Sequence, residues 1–550
     1  MFDIIISNGI IIDGSGNKSY KSDIAIVNGK ISKIDTKIDS PTKKVIDAKG
    51  AFISPGFIDI HTHSDISLYI DSRGLSKVKQ GVTTDVTGNC GYSPFPLNKK
   101  ARKDHQSNLN SIYGEEIDWD WSDLDEYREC LEKNGLGLNI APLVGHSAVR
   151  ATVMGFEDRS ASKDDLRQMR YLLEESMEQG AFGFSTGLTL PPSAYADTEE
   201  IVQLTSVLKQ FDSRFYTSHI RAWAGFHKSG VEEAVNIGKK CQVPVQVSHM
   251  AINDPKHWGE ANQVIKICEN AVANGFDVSF DVYPYTASSS GFSQCFPFWS
   301  QSGGLDHLVK RLKDPNIRKQ IKGDMLEEGL FRGWPWMWDK LVVASVNNSD
   351  LQEFEGMNFE KIGEKLKLSP IDAALELMFL DNARLRILFF YRTEHDMKCF
   401  LTHPLGMLGS DGLAIVNDGI LGKGKPHPRS YGAHTRVLEK YVHDEKLLSL
   451  ENAIFKMSGQ ISSRLGLKDR GLIKKNYWAD ICVFKFDNIH ENATYEDPHQ
   501  YSEGIDFVIV NGEIILVKMK SGEMFLFIIV FLYFIINVRG YLRMKGLKKT

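Results

Sequence analysis

The sequence predicts an α/β protein made of a (β/α)8 TIM-like barrel and a small β-sandwich domain that both chain ends build together. Three observations lead to this prediction. Helical segments followed by short apolar strands recur over about 400 residues, which is typical of a parallel sheet and, at this size, of a barrel. Hairpin patterns recur near both ends of the chain. Histidine, cysteine and aspartate residues follow predicted strands, where barrel enzymes carry their chemistry.

Residues 1–54 are predicted to form the first part of the sandwich. Apolar, β-rich runs surround the pairs Asn8–Gly9 and Asn28–Gly29. Asn-Gly between such runs favours a hairpin, because a type I′ turn needs a positive φ at both central residues. The pattern returns at Asn511–Gly512, after the strand-like segment ICVF at 481–484. Residues 470–520 are therefore predicted to complete the same domain.

Residues 55–469 are predicted to form the metal-dependent barrel. Apolar residues at helical spacing precede short apolar strands in three places, over 164–179, 231–240 and 261–274. Gly180 stands where a helix commonly ends. An aromatic-rich stretch at about 291–340 departs from the alternation. It is interpreted either as an insertion packed on the surface or as a lid over the substrate.

The last segment, 521–550, contains 13 consecutive apolar residues from Met524 to Ile536, followed by five basic residues. A transmembrane helix needs about 20 apolar residues. The tail is therefore expected to lie outside the fold and to make no membrane contact, with a weak membrane tether as the alternative.

Composition excludes several classes of protein. The net charge is only −5 and no long run of lysine and arginine is present, which argues against a nucleic-acid partner and favours a small-molecule substrate. Seven cysteines without a Cys-x-x-Cys pair do not suggest a disulfide framework. The N-terminus lacks the basic region of a signal peptide, so a cytoplasmic location is expected. The oligomeric state is not predicted.

The strongest local signal is the strand-like sequence FIDIHTH, which contains His61 and His63. Because a strand has a period of two, both imidazoles project from the same face and can bind one metal ion. Three other candidates, His219, His249 and Asp411, each end a strand-like segment. All five are expected at the same mouth of the barrel.

Cys90 is the remaining candidate ligand. It lies in TGNCGYS between two glycines, Gly88 and Gly91, which would allow the backbone to approach a metal closely. Taken alone, a single cysteine is more often a small buried apolar residue. The sequence context of Cys90 favours a role as a metal ligand.

These motifs, taken in order, resemble the D-aminoacylase (N-acyl-D-amino-acid deacylase) group of the amidohydrolase superfamily. The resemblance runs from about residue 3 to about residue 515. It includes the segments GFIDIHTHSD, GVTTDVTGNCGYSP, STGLTLPPSAYADTEE, SHIRAWAG, FDVYPYTASSS, LGSDG and HPRSYG. It implies the barrel and sandwich predicted above, and zinc-dependent hydrolysis of the amide bond of N-acyl-D-amino acids.

The resemblance also implies a role for each position. Cys90, His219 and His249 would hold one tightly bound zinc ion. A second metal position, weaker or vacant, would be formed by His61, His63 and Asp411, and Asp411 would also be the catalytic acid/base. The substrate carboxylate would be bound by Arg429, Tyr283 and Ser289. Zinc suits the reaction because it lowers the pKa of a coordinated water to about 7.

One departure concerns the substrate. The family pattern Ser-His-Leu-Lys reads Ser-His-Met-Ala here, so Ala251 supplies no cation and carboxylate binding is expected to rest on Arg429 and hydroxyl groups. Three further residues are placed near the barrel mouth without a firm role. His146 is either a structural or a catalytic histidine, and Arg221 and Trp223 either line the pocket or pack at the rim.

Other functions remain as alternatives. A cyclic-amide hydrolase of the dihydroorotase or hydantoinase kind often uses a carboxylated lysine, but no lysine occurs between Asn134 and Ser162. A D-dipeptidase is a further alternative. A catalytically inactive barrel scaffold should have lost a ligand or the acid/base, and none of the six is missing.

Overall fold

The structure is a computed structural model that describes residues 1–110, 117–222, 227–518 and 524–526. The strands are β1 (Phe2–Ile11), β2 (Tyr20–Val27), β3 (Lys30–Asp35), β4 (Thr42–Asp47), β5 (Phe52–Pro55), β6 (Phe57–Asp59), β7 (Val82–Thr87), β8 (Asn139–Pro142), β9 (Val144–Gly145), β10 (Gly183–Gly187), β11 (Phe215–His219), β12 (Val245–Val247), β13 (Val278–Val282), β14 (Ser288–Gly291), β15 (Leu341–Ser345), β16 (Arg386–Phe389), β17 (Gly406–Leu408), β18 (Ile481–Phe484), β19 (Ile505–Val510), β20 (Glu513–Lys518) and β21 (Met524–Leu526).

The α-helices are α1 (Ser67–Ile70), α2 (Leu75–Val78), α3 (Lys99–Asn110), α4 (Leu124–Asn134), α5 (His146–Met154), α6 (Lys163–Glu178), α7 (Thr198–Thr205), α8 (His227–Cys241), α9 (Ala261–Ala273), α10 (Phe298–Gln301), α11 (Leu305–Lys313), α12 (Pro315–Glu328), α13 (Phe359–Leu366), α14 (Pro370–Leu380), α15 (Glu394–Thr402), α16 (Arg429–Arg436), α17 (Leu450–Lys456) and α18 (Gly459–Arg464).

Both chain ends build one sheet, as predicted. Its strands follow the order β21-β20-β19-β18-β5-β1-β2-β3, and β4 also pairs with β1. The C-terminal strand β18 joins the N-terminal strand β5 in antiparallel register, with Val483 opposite Ile53. Both residues are fully buried in the apolar cluster of this sheet. Burial of one apolar face against its neighbours is what fixes the register of such a sheet.

Two of the three predicted hairpins are confirmed. Asn28–Gly29 connects β2 to β3, and Asn511–Gly512 connects β19 to β20, in each case with positive φ at both residues. The hairpin predicted at Asn8–Gly9 is wrong, because β1 runs through this pair and only shifts register between Ile6 and Gly9. Asn8 has a φ of 57°, and its N–H donates to a carboxylate oxygen of Asp23 at 3.0 Å. The pair is therefore a β-bulge.

The predicted helix-to-strand alternation is present in the middle of the chain. Strands β6-β7-β8 form one parallel sheet and β9-β10-β11-β12-β13-β17 form another. Only Leu143 separates β8 from β9. Beyond the ends of β6 and β17, Thr62 pairs with Gly412 in a parallel bridge. The fold is thus a mixed α/β fold, with parallel strands followed by helices.

The three predicted helices are confirmed as α6, α8 and α9, with α8 beginning four residues earlier than expected, at His227. Helix α6 begins with a reciprocal capping box between Ser162 and Asp165. Gly180 follows α6 with a φ of 109°. This conformation suits glycine and ends the helix before β10.

The segment between β13 and β17 carries its own hydrophobic cluster, which extends from Phe292 to Tyr391. It contains helices α10 to α14 and an antiparallel sheet in the order β14-β16-β15. The aromatic-rich stretch predicted at 291–340 lies within this longer unit. Because a separate core supports it, the unit is organised as a small domain inserted between two strands of the parallel sheet.

The described part of the C-terminal tail corrects the expectation that the tail lies outside the fold. Strand β21 pairs antiparallel with β20, with Leu526 opposite Leu516, so backbone hydrogen bonding extends the terminal sheet by one strand. The remainder of the predicted tail, 521–523 and 527–550, lies outside the described residues. Within the described ranges, the structure contains no helix with the length and apolarity needed to cross a membrane.

Candidate active site

The candidate ligands predicted from the sequence meet beside one large cavity. The cavity has a volume of about 260 Å³, and five of the six candidates contribute to its lining, namely His63, Cys90, His219, His249 and Asp411. They follow the carboxyl ends of the parallel strands. This is where an α/β fold places its chemistry, because loops that leave neighbouring parallel strands converge at that edge.

The first group of ligands consists of Cys90, His219 and His249, whose ligand atoms all lie within 4.8 Å of one another. The Cys90 Sγ atom is 3.3 Å from His249 Nε2. His249 Nε2 is 3.0 Å from His219 Nδ1. One thiol and two imidazoles within this distance form a donor set that fits zinc.

The second group shares Cys90 with the first and adds His61, His63 and Asp411. His63 Nε2 lies 3.0 Å from Asp411 Oδ1, and His61 Nε2 lies 3.6 Å from the same oxygen. The Cys90 Sγ atom is 3.3 Å from His61 Nε2. Because Cys90 contacts both groups, the two candidate metal positions adjoin each other.

Three of these six residues have a left-handed backbone. The φ angles are 53° for Cys90, 32° for His249 and 52° for Asp411. Such a conformation costs about 1–3 kcal/mol in a residue other than glycine and is found mostly where the surrounding structure enforces it. Next to Cys90, a Cβ atom on Gly88 would lie 2.2 Å from the Leu143 carbonyl oxygen. Only glycine fits there, and its presence lets the loop carry Cys90 to the histidines.

The electrostatics of the site favour a thiolate. Burial by itself would raise the pKa of the Cys90 thiol, but the charges of His61 and His249 and hydrogen bonds from His219 and His249 outweigh it. The pKa of Cys90 is consequently lowered well below its usual range. A thiolate is the form of cysteine that binds metal ions, so the surroundings prepare Cys90 to be a ligand.

Asp281 supports this site, and the sequence analysis did not select it. Its Oδ1 atom lies 3.0 Å from His61 Nδ1 and accepts the backbone N–H of His249 at 2.8 Å. It therefore orients one residue of each group and leaves His61 Nε2 toward Cys90. Asp281 stands in the quoted motif FDVYPYTASSS, where its position at a strand end was the available signal.

A buried ion pair holds the backbone that precedes Asp411. Lys77 Nζ lies 2.7 Å from Asp59 Oδ2 and 2.6 Å from the Ser410 hydroxyl. The Ser410 N–H donates to Asp59 Oδ1 at 2.8 Å. Lys77 and Asp59 are both fully buried. This network joins β6 and α2 to the loop of Asp411, and so positions that carboxylate.

We expect Lys77→Met to destabilise the protein by about 3–5 kcal/mol, because it leaves the Asp59 carboxylate buried without its cation. The measurement is the urea midpoint at constant zinc content. The double variant Asp59→Asn/Lys77→Met should recover part of the loss, since the unpaired charge is then absent. A single variant as stable as the wild type would show that the pair does not support this loop.

The residues predicted to bind the carboxylate line the same cavity as Asp411. The guanidinium of Arg429 is 2.8 Å from Asp411 Oδ2, and its carbon lies 4.8 Å from the centroid of the Tyr283 ring. The Tyr283 hydroxyl is buried and has no hydrogen-bond partner among the described residues. Ser289 and Ala251 also line the cavity. The structure adds Arg392, a second cation in this cavity that the sequence analysis missed.

The residues of uncertain role are resolved in part. His146 is fully buried and bonded to Ser193 and, at 2.9 Å, to Glu200, so it is a structural histidine. Arg221 pairs with Glu233 at 3.1 Å and donates to the Ala196 carbonyl at 2.6 Å. This is packing at the rim. Trp223 lies outside the described residues.

A third group of potential ligands, His227, His257 and Glu260, was not predicted. His227 Nε2 lies 3.0 Å and His257 Nδ1 3.3 Å from Glu260 Oε2. Lys228 Nζ lies 2.9 Å from the same oxygen. Because an ammonium already neutralises this carboxylate, the arrangement is an ion-pair network between the starts of α8 and α9.

Comparisons with known proteins place this geometry in a family context. Residues 44–320 and 379–516 match the profile described as the amidohydrolase family. An N-acyl-D-aspartate deacylase of Alcaligenes xylosoxydans xylosoxydans is 32% identical over 94% of this chain and 93% of its own. A D-aminoacylase of the same organism is 31% identical over 93% of this chain and 94% of its own.

Solved structures are similar over the same range. The N-acyl-D-glutamate deacylase of Bordetella bronchiseptica, solved with zinc and a phosphonate inhibitor that mimics the tetrahedral intermediate, has a TM-score of 0.79 and 28% identity. The match covers 94% of this chain and 96% of that one. The likeness therefore extends over nearly the whole of each chain, and the interval between the two profile matches falls inside the insertion.

Proposed function

We propose that this chain, which belongs to the amidohydrolase family, is a zinc-dependent enzyme. Its reaction is the hydrolysis of the amide bond of N-acyl-D-amino acids. One observation carries the proposal. Two adjoining groups of metal ligands meet at a cavity that also contains an arginine for a carboxylate. Such a cavity accommodates a small amide with an anionic end.

We assign the tight zinc position to Cys90, His219 and His249. The second position, weaker or vacant, is assigned to His61, His63 and Asp411. The ligand chemistry supports this order, since a thiolate with two imidazoles binds zinc more strongly than two imidazoles with a carboxylate that is already paired to Arg429. When bound, zinc would lower the pKa of a coordinated water and polarise the acyl carbonyl.

Asp411 is the proposed acid/base. Burial would raise its pKa, but Arg429, His63 and the neighbouring histidines lower it well below its usual range, so the group is a carboxylate at neutral pH. A carboxylate beside the attacking water can accept its proton and then deliver that proton to the departing amine. His63, 3.0 Å from Asp411 Oδ1, holds the carboxylate in place.

The remaining predicted residues bind the other end of the substrate. The planar fork of Arg429 suits two parallel hydrogen bonds to a carboxylate. The Tyr283 hydroxyl, buried without a partner in the described structure, is available to the same anion. Ser289 lines the cavity from β14. Together they would bind the carboxylate and orient the amide toward the metal.

We further infer that the parallel strands close into a (β/α)8 barrel. The parallel bridge between Thr62 and Gly412, and the hydrogen bond from the Asp411 N–H to the His61 carbonyl at 2.8 Å, join the first of these strands to the last. Residues 55–469 would then form the barrel with its insertion. Residues 1–54 and 470–520 would form the second domain.

The test is an assay of metal and substrate together. Elemental analysis of the purified protein should find zinc. A panel of N-acyl amino acids in both configurations should be cleaved only in the D form. Cleavage of L substrates at equal rates, or of cyclic amides alone, would contradict the proposal.

Arg429→Met should lower kcat/KM for N-acyl-D-amino acids by about a hundredfold, mostly through KM, because loss of a charged contact in a desolvated site costs a few kcal/mol. Zinc content should not change. An analogue with a carboxamide in place of the carboxylate should be cleaved about equally by both proteins. Equal loss on both substrates would show that Arg429 acts through Asp411 and not on the substrate carboxylate.

A further inference from the structure

A second guanidinium group lies beside the first in the cavity. Arg392 follows β16, in the connection from the insertion to α15, and is partly buried. Its guanidinium carbon lies 4.5 Å from the centroid of the Tyr283 ring, and that of Arg429 lies 4.8 Å from the same centroid. Two guanidinium groups therefore lie close to one phenol ring at a cavity of about 260 Å³.

The two arginines differ in their partners. Arg429 is paired with Asp411, whereas Arg392 has no carboxylate within ion-pair distance in the described part of the chain. Its Nε–H donates to the side-chain oxygen of Asn253 at 2.8 Å, which fixes the plane of the guanidinium. The two terminal amino groups of Arg392 are left without an anion. Like charges in one cavity repel each other, so an anion placed between the two guanidinium groups would be stabilised there.

Burial supports the same conclusion. Loss of hydration lowers the pKa of Arg392, and the nearby charge of Arg429 contributes in the same direction. Arginine remains protonated at neutral pH even so, and Asp411, the nearby carboxylate that opposes this shift, is already paired with Arg429. A carboxylate with two oxygens can accept hydrogen bonds from two guanidinium groups at once.

We propose that Arg392 is a substrate-binding residue, and that it and Arg429 bind the carboxylate of the substrate together next to Tyr283. The inference rests on the proposed function, since that function supplies the carboxylate. It assigns to the insertion a direct part in specificity, because the insertion carries β16 and leads into Arg392. Asn253, in the loop after His249, couples this arginine to the metal side of the cavity.

The test is steady-state kinetics of Arg392→Met with the N-acetyl-D-amino acid that the wild type cleaves best. KM should rise by about tenfold or more while kcat changes little, because a binding contact is lost and the acid/base and metal ligands remain. The carboxamide analogue should show no such rise. Arg384→Met, the same substitution at a residue of the insertion that does not line the cavity, is the matched control and should leave KM unchanged.

A cation introduced at another position of the cavity distinguishes a substrate-binding role of Arg392 from a merely structural one. Ala251 lines the same cavity two residues before Asn253, the partner of Arg392, so Ala251→Lys introduces an ammonium group into this cavity. In the Arg392→Met background this change should lower KM again, and Arg392→Lys should give an intermediate KM. A KM within twofold of the wild type in Arg392→Met, or no recovery with Ala251→Lys, would overturn the proposal.

Equilibrium binding keeps this inference distinct from the proposed function. If the wild-type zinc protein cleaves no member of the panel, the proposed function fails. The role of Arg392 is then decided by calorimetry with N-acetyl-D-leucine and with its carboxamide. The carboxylate must bind at least about tenfold more tightly than the amide to the wild type, and this preference must disappear in Arg392→Met. Equal binding of both ligands to the wild type would overturn the role of Arg392 as well.

Discussion

Cys90→Ala should lose most of its zinc and with it most of its activity. Cys90 contacts histidines of both groups, at 3.3 Å from His61 and 3.3 Å from His249, so its removal takes a thiolate from the tight position. Residues that only orient a metal ligand contribute about 10–100-fold to affinity. Loss of the ligand itself should therefore cost at least about a hundredfold. The loss of zinc affinity is measured by elemental analysis after dialysis against a weak chelator.

A second buried cysteine provides the control for this experiment. Cys268, on α9, is fully buried and belongs neither to a candidate ligand group nor to the cavity lining, so Cys268→Ala removes an equal number of atoms from the core outside the site. It should retain both zinc and activity. If Cys90→Ala kept its full zinc content and activity, Cys90 would not be a ligand, and the assignment of the tight position would have to be withdrawn.

Asp411→Asn should abolish turnover and leave the tight zinc in place. The amide cannot accept and return a proton, and proton transfer by a positioned group contributes about 10²–10⁴-fold to rate. Cys90, His219 and His249 are unchanged in this variant. The expected result is a fall in kcat of about a thousandfold or more with one zinc ion still bound per chain. Steady-state kinetics and metal analysis on the same preparation test both halves of the prediction.

Asp418→Asn is the matched control for Asp411→Asn. Asp418 lies seven residues later in an exposed position outside the cavity, so the same change of a carboxylate to an amide should be without effect there. Near-normal hydrolysis by Asp411→Asn would contradict the acid/base role. Loss of zinc together with activity would show that Asp411 contributes to the tight metal position instead.

Local patterns determined much of the fold. The helices α6, α8 and α9 follow from apolar residues at helical spacing, and the turns at Asn28–Gly29 and Asn511–Gly512 follow from the conformational preference of the residues themselves. Asn8–Gly9 has the same two residues but forms a bulge. The neighbouring strands account for the difference. Strand β1 pairs with β2 on one side and with β4 and β5 on the other, and this pairing keeps the chain extended through Asn8–Gly9.

The six candidate ligands could be selected from the sequence because each stands in a short motif at the end of a strand-like segment. The family resemblance implied two sets of ligands, but the contact of Cys90 with both sets, and the left-handed backbone of Cys90, His249 and Asp411, could not be predicted from a local pattern. Both depend on how separate strand ends meet. Such contacts join residues far apart in the chain, and a local pattern carries no information about them.

The same reason explains why Arg429 could be predicted from the sequence and Arg392 could not. Arg429 belongs to a motif that could be read directly from the chain, so the sequence by itself pointed to this arginine as the proposed partner of the substrate carboxylate. Arg392 follows a strand of the insertion and stands in no such motif, and only the packing of that insertion brings it to Tyr283 and Asn253. The sequence determined the donor chemistry and the local elements, whereas the tertiary structure decided which charges share the cavity, because their distances depend on packing between elements remote in sequence.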